Sequence, residues 1–325
     1  MQFIEVREDW FTGRTSIIAS ARSGRPHLVA ATPPTAGRTC PFCPGNEDMT
    51  PPAEAVMVST DVGHAIRTGD DAVDARGWNV RVFSNLFPAF SADVGSGSAY
   101  GHHLIVVESP HHDKDIDQIE KAEVEMYLSV LSFEVERLNS DHRVNCVSIF
   151  KNQGEEAGAS IPHPHTQIVA SHLVPPQIVT ETRAWSNVWS ERRESAISLL
   201  AQEAEKEGRV VMNRLGYVAF VPFAPMVPFE LWIAPDKPHR SIEDGKWPGA
   251  FSEVLRLMIS AVKRVHGEVA YNLYWHLPPK SAEGFHWHVE LVPRTSKMAG
   301  YELGFGAYVI TTRPEDAAQL YRQTL

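Results

Sequence analysis

Residues 161–170 read IPHPHTQIVA and set His163, His165 and Gln167 at every second position. Side chains two apart along an extended chain lie on one face, so two imidazoles and an amide can meet one ligand. Unprotonated imidazole is a metal ligand and a nucleophile toward phosphorus. His165, flanked by the rigid Pro164 and a tethered His163, is the nucleophile candidate. Three polar groups on one strand face are hard to satisfy by packing alone, which separates them from an ordinary core histidine. The last of the three indicates the type of reaction. A third imidazole, when protonated, would donate to a leaving group, whereas the Gln167 amide hydrogen-bonds without carrying a titrating proton. Such a row suits a leaving group that needs no proton, for instance a sugar phosphate, with a phospho-histidine that waits for a second acceptor.

A second constellation lies upstream. Cys40 and Cys43 form a C-x-x-C pair in RTCPFCPGNE, and the chain has three cysteines, too few for a fully paired disulfide framework. In a reducing compartment such a pair is a metal clip or a redox pair. With His112 and His163 it makes two thiolates and two imidazoles, a set suited to tetrahedral zinc. Four protein ligands leave no open position, so this zinc would be structural, and His165 would remain free for chemistry.

The elements that must position these residues come in two similar runs. In the first, NVRVFSNLFPAF and GHHLIVVESPHH read as strands. A helix with Ile119, Val124, Tyr127, Leu128, Leu131 and Val135 at helical period follows, with Asp115 or Asp117 as its cap. The strand VNCVSIFKN, the loop QGEEAGAS and the histidine row complete the unit. The second run repeats the order: GYVAFVPF, PFELWIAP, a helix carrying Phe251, Val254, Leu255, Leu257, Met258 and Val262, the strand VAYNLYWHL, a loop, and FHWHVELVPR. His286, Trp287 and His288 then stand where the first unit has His163, Pro164 and His165, and His239 stands where it has His112. The expected fold is α+β, two duplicated halves of mainly antiparallel sheet with helices, divided into residues 1–176 and 177–325. Between them WSNVWSERRESAISLLAQEAEKEG reads as one amphipathic helix.

Composition sets the outer limits. The chain has 325 residues, 43% of them hydrophobic, enough for substantial cores, and a formal net charge of −10 that argues against nucleic acid as a partner. No apolar run of about 18 residues and no leader-like start appears, so neither membrane insertion nor export is expected and the location is read as cytoplasmic.

Seven stretches, TGRTSIIASARSGRPH, CPFCPGNE, VRVFSNLFPA, ESPHH, FKNQGEEAGASIPHPHTQ, FHWHVELVPR and AGYELGFGAY, occur in the order of the galactose-1-phosphate uridylyltransferase family of the histidine-triad superfamily, and the chain resembles that family over nearly its whole length. The resemblance implies two histidine-triad-like halves, a homodimer with shared active sites, and ping-pong transfer of a nucleoside monophosphate, most simply UMP, between a nucleotide sugar and a hexose 1-phosphate. By position, His165 is then the nucleotidylated nucleophile and Gln167 its hydrogen-bond partner on the phosphoryl oxygens. Cys40, Cys43, His112 and His163 match the family's zinc ligands. Asn152 and Ser160 match phosphate contacts, Arg22 and Arg25 match basic residues near the phosphates, one of them reaching toward a neighbouring subunit, and Asn85 matches a nucleoside contact. Tyr301 and Glu302 fall in the sugar-binding stretch. Glu181, His276, His286 and His288 match a second metal site, iron or zinc, found in some members.

The chain also departs from the pattern. Leu86 stands where an acidic residue near the ribose is expected, and Tyr308 stands near the place of an expected glutamine. FKNQG, AGAS and PFELWIAP resemble the ADP-glucose phosphorylase branch as well, so an adenylyl-transferring phosphorylase acting on ADP-glucose or a dinucleoside polyphosphate, with inorganic phosphate as acceptor, is the alternative. A non-catalytic nucleotide-sugar binder is a third reading, with which an intact His165 beside Gln167 disagrees.

Overall fold

The computed structural model describes residues 4–20, 39–73, 75–92, 99–238, 249–282 and 285–325. Arg22, Arg25 and His239 lie outside the described residues. The chain runs β1 (Ile4–Glu8), β2 (Thr15–Ala19), β3 (Ala53–Thr60), β4 (Gly63–Thr68), the single-turn α1 (Asp70–Val73), β5 (Trp78–Ser84), β6 (Gly101–Val107), α2 (Lys121–Asn139), β7 (Cys146–Gln153) and β8 (His165–Ser171). It continues through α3 (Pro176–Arg192), α4 (Ala196–Lys206), β9 (Val210–Arg214), β10 (Tyr217–Phe220), β11 (Leu231–Pro235), α5 (Gly249–His266), β12 (Tyr271–His276), β13 (His288–Pro293), α6 (Gly300–Phe305), β14 (Ala307–Ile310) and α7 (Pro314–Arg322).

The internal duplication is visible in the strand order. One sheet runs β4-β3-β5-β6-β8-β7-β12-β13-β11-β10-β9, and the order β5-β6-β8-β7 is mirrored by β10-β11-β13-β12 about the seam between β7 and β12. All its neighbouring strands are antiparallel, and the seam pairs Asn152 with Asn272 and Phe150 with Tyr274. A second sheet joins the two chain ends, with β14 lying parallel to β2.

Alternation along the strands divides the molecule into two faces. Val80, Val82, Leu104, Val106, Ile168 and Ala170 pack against α2, whose Val124, Tyr127, Leu128, Leu131 and Val135 recur at helical spacing, and α5 covers the other half in the same core. Phe83, Ile105 and Val107 point the opposite way and pack with Phe42. His165 and Gln167 share that second face, because Thr166 between them turns inward to Tyr127.

Two local expectations change. α2 is not capped by Asp115 or Asp117: its start is a capping box in which the Glu120 N–H donates to Glu123 Oε2 at 2.9 Å, while both aspartates form ion pairs with Lys263. The expected single helix between the halves is two, because Arg193 ends α3 in the left-handed region at φ 57° and the Ser195 hydroxyl caps α4 by accepting the Ser198 N–H.

Candidate active site

The expected row splits at Pro164. His163 precedes β8 and is fully buried; His165 opens the strand. His163 Nδ1 lies 3.9 Å from Cys40 Sγ and 3.6 Å from Cys43 Sγ, and His112 Nδ1 is 3.3 Å from Cys43 Sγ. The four donor atoms lie within 4.8 Å of one another. Metal–ligand bonds of about 2.3 Å to sulfur and about 2.0 Å to nitrogen at the tetrahedral angle place S and N about 3.5 Å apart, so this set fits a tetrahedral ion. The turn that presents the thiols is held by Cys43 N–H on Cys40 O at 3.3 Å and by Asn46 Nδ2 on the same oxygen at 2.8 Å. His163 Nε2 donates to Ser109 O at 2.9 Å, which leaves Nδ1 bare for a metal. Burial and then the neighbouring Cys40 push the Cys43 thiol up to about 11, an effect that a bound cation reverses.

His165 is 5% exposed, and its Nδ1–H donates to the His163 carbonyl at 2.9 Å. Burial pulls its pKa down to about 4, helped by the charge of Lys151 and opposed by that hydrogen bond, so at neutral pH the ring is unprotonated with Nε2 free to attack. Phe42 meets the ring edge-on at 5.2 Å between centroids and fixes its plane.

His165 and Gln167 open into a cavity of about 330 Å³ whose walls are Pro41, Phe42, Phe83, Leu86, Phe87 and Ile105, with Thr50, Asn85 and Ser160 as polar points. Its apolar walls suit a flat nucleobase and its polar end holds His165 and Gln167. Asn85, Ser160 and Leu86 all line this cavity. Asn152 does not line this cavity; its Oδ1 accepts from Asn272 Nδ2 at 2.7 Å across the seam. Tyr301 and Glu302 lie on α6 and do not line the cavity; Glu302 caps its own helix by accepting the Ala299 N–H and Tyr301 is half exposed.

A second cluster gathers Glu181, His276 and His288 with Glu290, all buried and within 4.8 Å. His276 Nδ1 is 2.8 Å from Glu181 Oε2, and burial, offset by that carboxylate, leaves the imidazole pKa raised. His288 Nε2 is 3.8 Å from Glu290 Oε1, and among the described residues neither of its ring nitrogens has a hydrogen bond, which leaves one bare for a metal. The fourth expected member, His286, is turned elsewhere: its Nδ1 is 2.7 Å from Ser195 Oγ, and Glu290 takes its place in the group. Arg14 bridges Glu230 and Glu290 at 2.9 Å each beside this cluster.

Sequence reasoning missed His103, which touches Gln167, and the buried charges Glu108, Lys151 and Arg14. The signal was faint: single charged or imidazole residues within or just beside otherwise apolar strands, whose partners emerge only from the fold.

The comparisons agree with this geometry. Residues 7–175 match the family described as galactose-1-phosphate uridyl transferase, N-terminal domain. An Arabidopsis thaliana ADP-glucose phosphorylase is 28% identical, with 98% of this chain and 92% of that protein covered, and a Thermotoga maritima galactose-1-phosphate uridylyltransferase is 30% identical, with 99% and 98% covered. The crystal structure of the Arabidopsis thaliana ADP-glucose phosphorylase with bound ADP-glucose superposes with a TM-score of 0.83 at 27% identity, covering 99% of each chain. Relatives that are a uridylyltransferase and an ADP-glucose phosphorylase, over nearly the whole of this chain, make the class that of nucleotidyl-transferring enzymes. The chain belongs to the galactose-1-phosphate uridylyltransferase family.

Proposed function

We propose that this enzyme moves a nucleoside monophosphate from a nucleotide sugar to a second phosphate acceptor through a covalent nucleotidyl-His165, with UMP and a hexose 1-phosphate as the first reading. The carrying observation is the His165 ring, stripped of its proton by burial and opening at Nε2 into the cavity it shares with Gln167. Nε2 attacks the α-phosphorus, the bond from phosphorus to the bridging oxygen breaks, and the sugar 1-phosphate leaves with its electron pair. The Nδ1 proton stays on the ring throughout, and the His163 carbonyl that accepts it stabilises the positive charge the ring acquires. An acceptor oxygen then attacks the same phosphorus and the N–P bond breaks, restoring the neutral imidazole. Gln167 and Ser160 are assigned to the phosphoryl oxygens and Asn85 to the nucleoside, with Arg22 and Arg25 as further phosphate contacts; Asn152, held by Asn272 across the seam, would reach a phosphate only through its Nδ2.

Zinc is the ion assigned to Cys40, Cys43, His112 and His163, where it ties the cysteine turn to the strand that carries the nucleophile. The second cluster is assigned to zinc or iron. The protein is read as a cytoplasmic homodimer, divided at residue 176; among the described residues no helix is long and apolar enough to cross a membrane. A homodimer also accounts for Tyr301 and Glu302, which would serve a sugar bound in the other subunit's site.

A second reading, phosphorolysis of ADP-glucose or a dinucleoside polyphosphate with inorganic phosphate as acceptor, draws support from Leu86. Its apolar side chain lines the cavity where a carboxylate toward the ribose was expected. Intact-mass measurement after exposure to UDP-glucose or ADP-glucose without acceptor separates the two. One uridylyl unit on the chain supports the first, an adenylyl unit alone supports the second, and no adduct on metal-replete protein refutes His165 as nucleophile toward either donor.

A further inference from the structure

His103 lies outside the histidine row, on the neighbouring strand β6, yet it decides how one member of that row can act. Its Nε2 is 2.9 Å from Gln167 Oε1, and its Nδ1 is 3.1 Å from the backbone N–H of Ala89. A backbone amide can only donate, so Nδ1 accepts, and a neutral imidazole then carries its single proton on Nε2. Burial, only partly opposed by Gln167, holds the ring neutral by lowering its pKa. Asn85 Nδ2 stands 3.2 Å from the same Nε2, but Asn85 Oδ1 is already held by the Phe87 N–H at 2.9 Å, so the nearby atom is a nitrogen that cannot accept. Among the described residues, Gln167 Oε1 is the acceptor that remains.

The consequence concerns the flip state of an amide. With Oε1 fixed on His103, the Gln167 carboxamide turns its NH₂ to the cavity shared with His165. The opposite flip would aim a carbonyl oxygen at an anionic phosphoryl group, which repels it. Strand pairing does not settle this choice: the ladder sets His103 opposite Val169 and Ile105 opposite Gln167, fixing backbones but not amide orientation.

We propose that His103, locked in its Nε2–H tautomer by the Ala89 amide, is a positioning residue that orients the Gln167 carboxamide and so presents its NH₂ to the phosphoryl oxygens on His165. This deepens, and rests on, the reaction proposed above.

The test is a cycle on the full chain with His103→Phe, Gln167→Ala, the double variant, and His103→Gln, which restores an N–H donor near the Nε2 position. Single-turnover nucleotidylation is timed with whichever of UDP-glucose and ADP-glucose labels the parent protein, and donor affinity is titrated separately. His103→Phe slows nucleotidylation by roughly 10- to 100-fold, as loss of an orienting partner does elsewhere, and His103→Gln recovers most of that loss. Donor affinity shifts less than about 3-fold, since the interaction gains strength only as charge develops. In the Gln167→Ala background the same substitution changes the rate less than about 2-fold, because the residue acts through the amide. An undiminished loss in that background, or no loss at all, overturns the inference. A second readout needs no turnover: ¹⁵N NMR of the nucleotide-free protein at pH 7 shows His103 protonated at Nε2 and bare at Nδ1, and the Nδ1–H tautomer or an imidazolium overturns the inference. A parent protein that takes no label refutes the proposed reaction, while the ring measurement still decides the tautomer on which the positioning role depends.

Discussion

His165 Nδ1 lies 2.9 Å from the carbonyl oxygen of His163, whose own ring sits among the thiols of Cys40 and Cys43. The proton on the proposed nucleophile is therefore held by a residue that the Cys/His cluster holds in turn. The His165 ring and the Cys/His cluster are two ends of one short lever, with Pro164 between them.

This coupling separates two substitutions. Cys43→Ala removes a donor from a closed four-ligand set, so it lowers metal content and melting temperature and slows nucleotidylation by loosening His163. His165→Gly abolishes transfer but leaves metal content unchanged, because its ring touches none of the cluster's sulfur atoms. Elemental analysis beside thermal unfolding checks the pair. A Cys43→Ala protein with full metal content and unchanged melting would sink the zinc assignment.

The pH profile follows from burial of His165. Burial, aided by Lys151 and opposed by the His163 carbonyl, brings the ring down to about 4, against about 6.5 for an exposed histidine. The unprotonated ring is the attacking form, so nucleotidylation holds steady from pH 8 to about 5 and falls by half near 4. Stability moves in the same direction. Below about 6.5 the unfolded chain takes up a proton here that the folded chain refuses, so this contribution is complete above that value and is lost as pH falls toward 4. Single-turnover rates across pH 4 to 8 test the first part, and a midpoint near 6.5 counts against it.

Much of the fold was legible because its signals are periodic and appear twice. Leu104, Val106, Ile168 and Ala170 alternate as strand residues buried under a helix do, and the second unit repeats the scheme from Tyr217 to Pro293. The gathering of Cys40, Cys43, His112 and His163 was legible because thiolate and imidazole chemistry is rare and sharply spaced. What stayed hidden depends on register. Nothing local in GHHLIVV says that the second of its histidines rather than the first meets Gln167; the pairing of Ile105 with Gln167 decides it. The expected joining helix was likewise undone by a single left-handed residue, Arg193, a conformation that an arginine does not advertise.

The second cluster yields a prediction where pattern and geometry differ. His288 is gathered with Glu181, His276 and Glu290, while His286 meets Ser195. His288→Ala and Glu290→Gln therefore lower the second metal's occupancy more than His286→Ala does. Metal analysis of protein grown with iron or zinc compares the three. If His286→Ala causes the greater loss, the ligand set is the one expected from the sequence and Glu290 serves as a partner of Arg14 alone.

Directly behind His165, on the helix side of the sheet, charge is buried at a cost that a substitution can expose. Lys151 Nζ is 2.7 Å from Glu108 Oε2 and 3.4 Å from Asp115 Oδ1, and Glu108 Oε1 accepts the Thr166 hydroxyl at 2.7 Å. Thr166 is the residue after His165, so this network clamps β8 from beneath. Lys151→Met keeps much of the volume and leaves Glu108 buried without its cation, a change that costs about 3–5 kcal/mol in other proteins. Burial already raises the Glu108 carboxyl against the pull of Lys151, and without that pull the group takes a proton more readily. The folded pKa then lies above the unfolded one, so Lys151→Met is less stable at pH 8 than at pH 5 relative to the parent. Adding Glu108→Gln removes the orphaned charge and restores part of the loss, since Asp115 keeps its partners Lys263 and Tyr271. Urea unfolding of the three proteins at both pH values checks the argument, and a Lys151→Met penalty that is the same at each pH shows that packing, not the stranded carboxylate, is what the lysine supports.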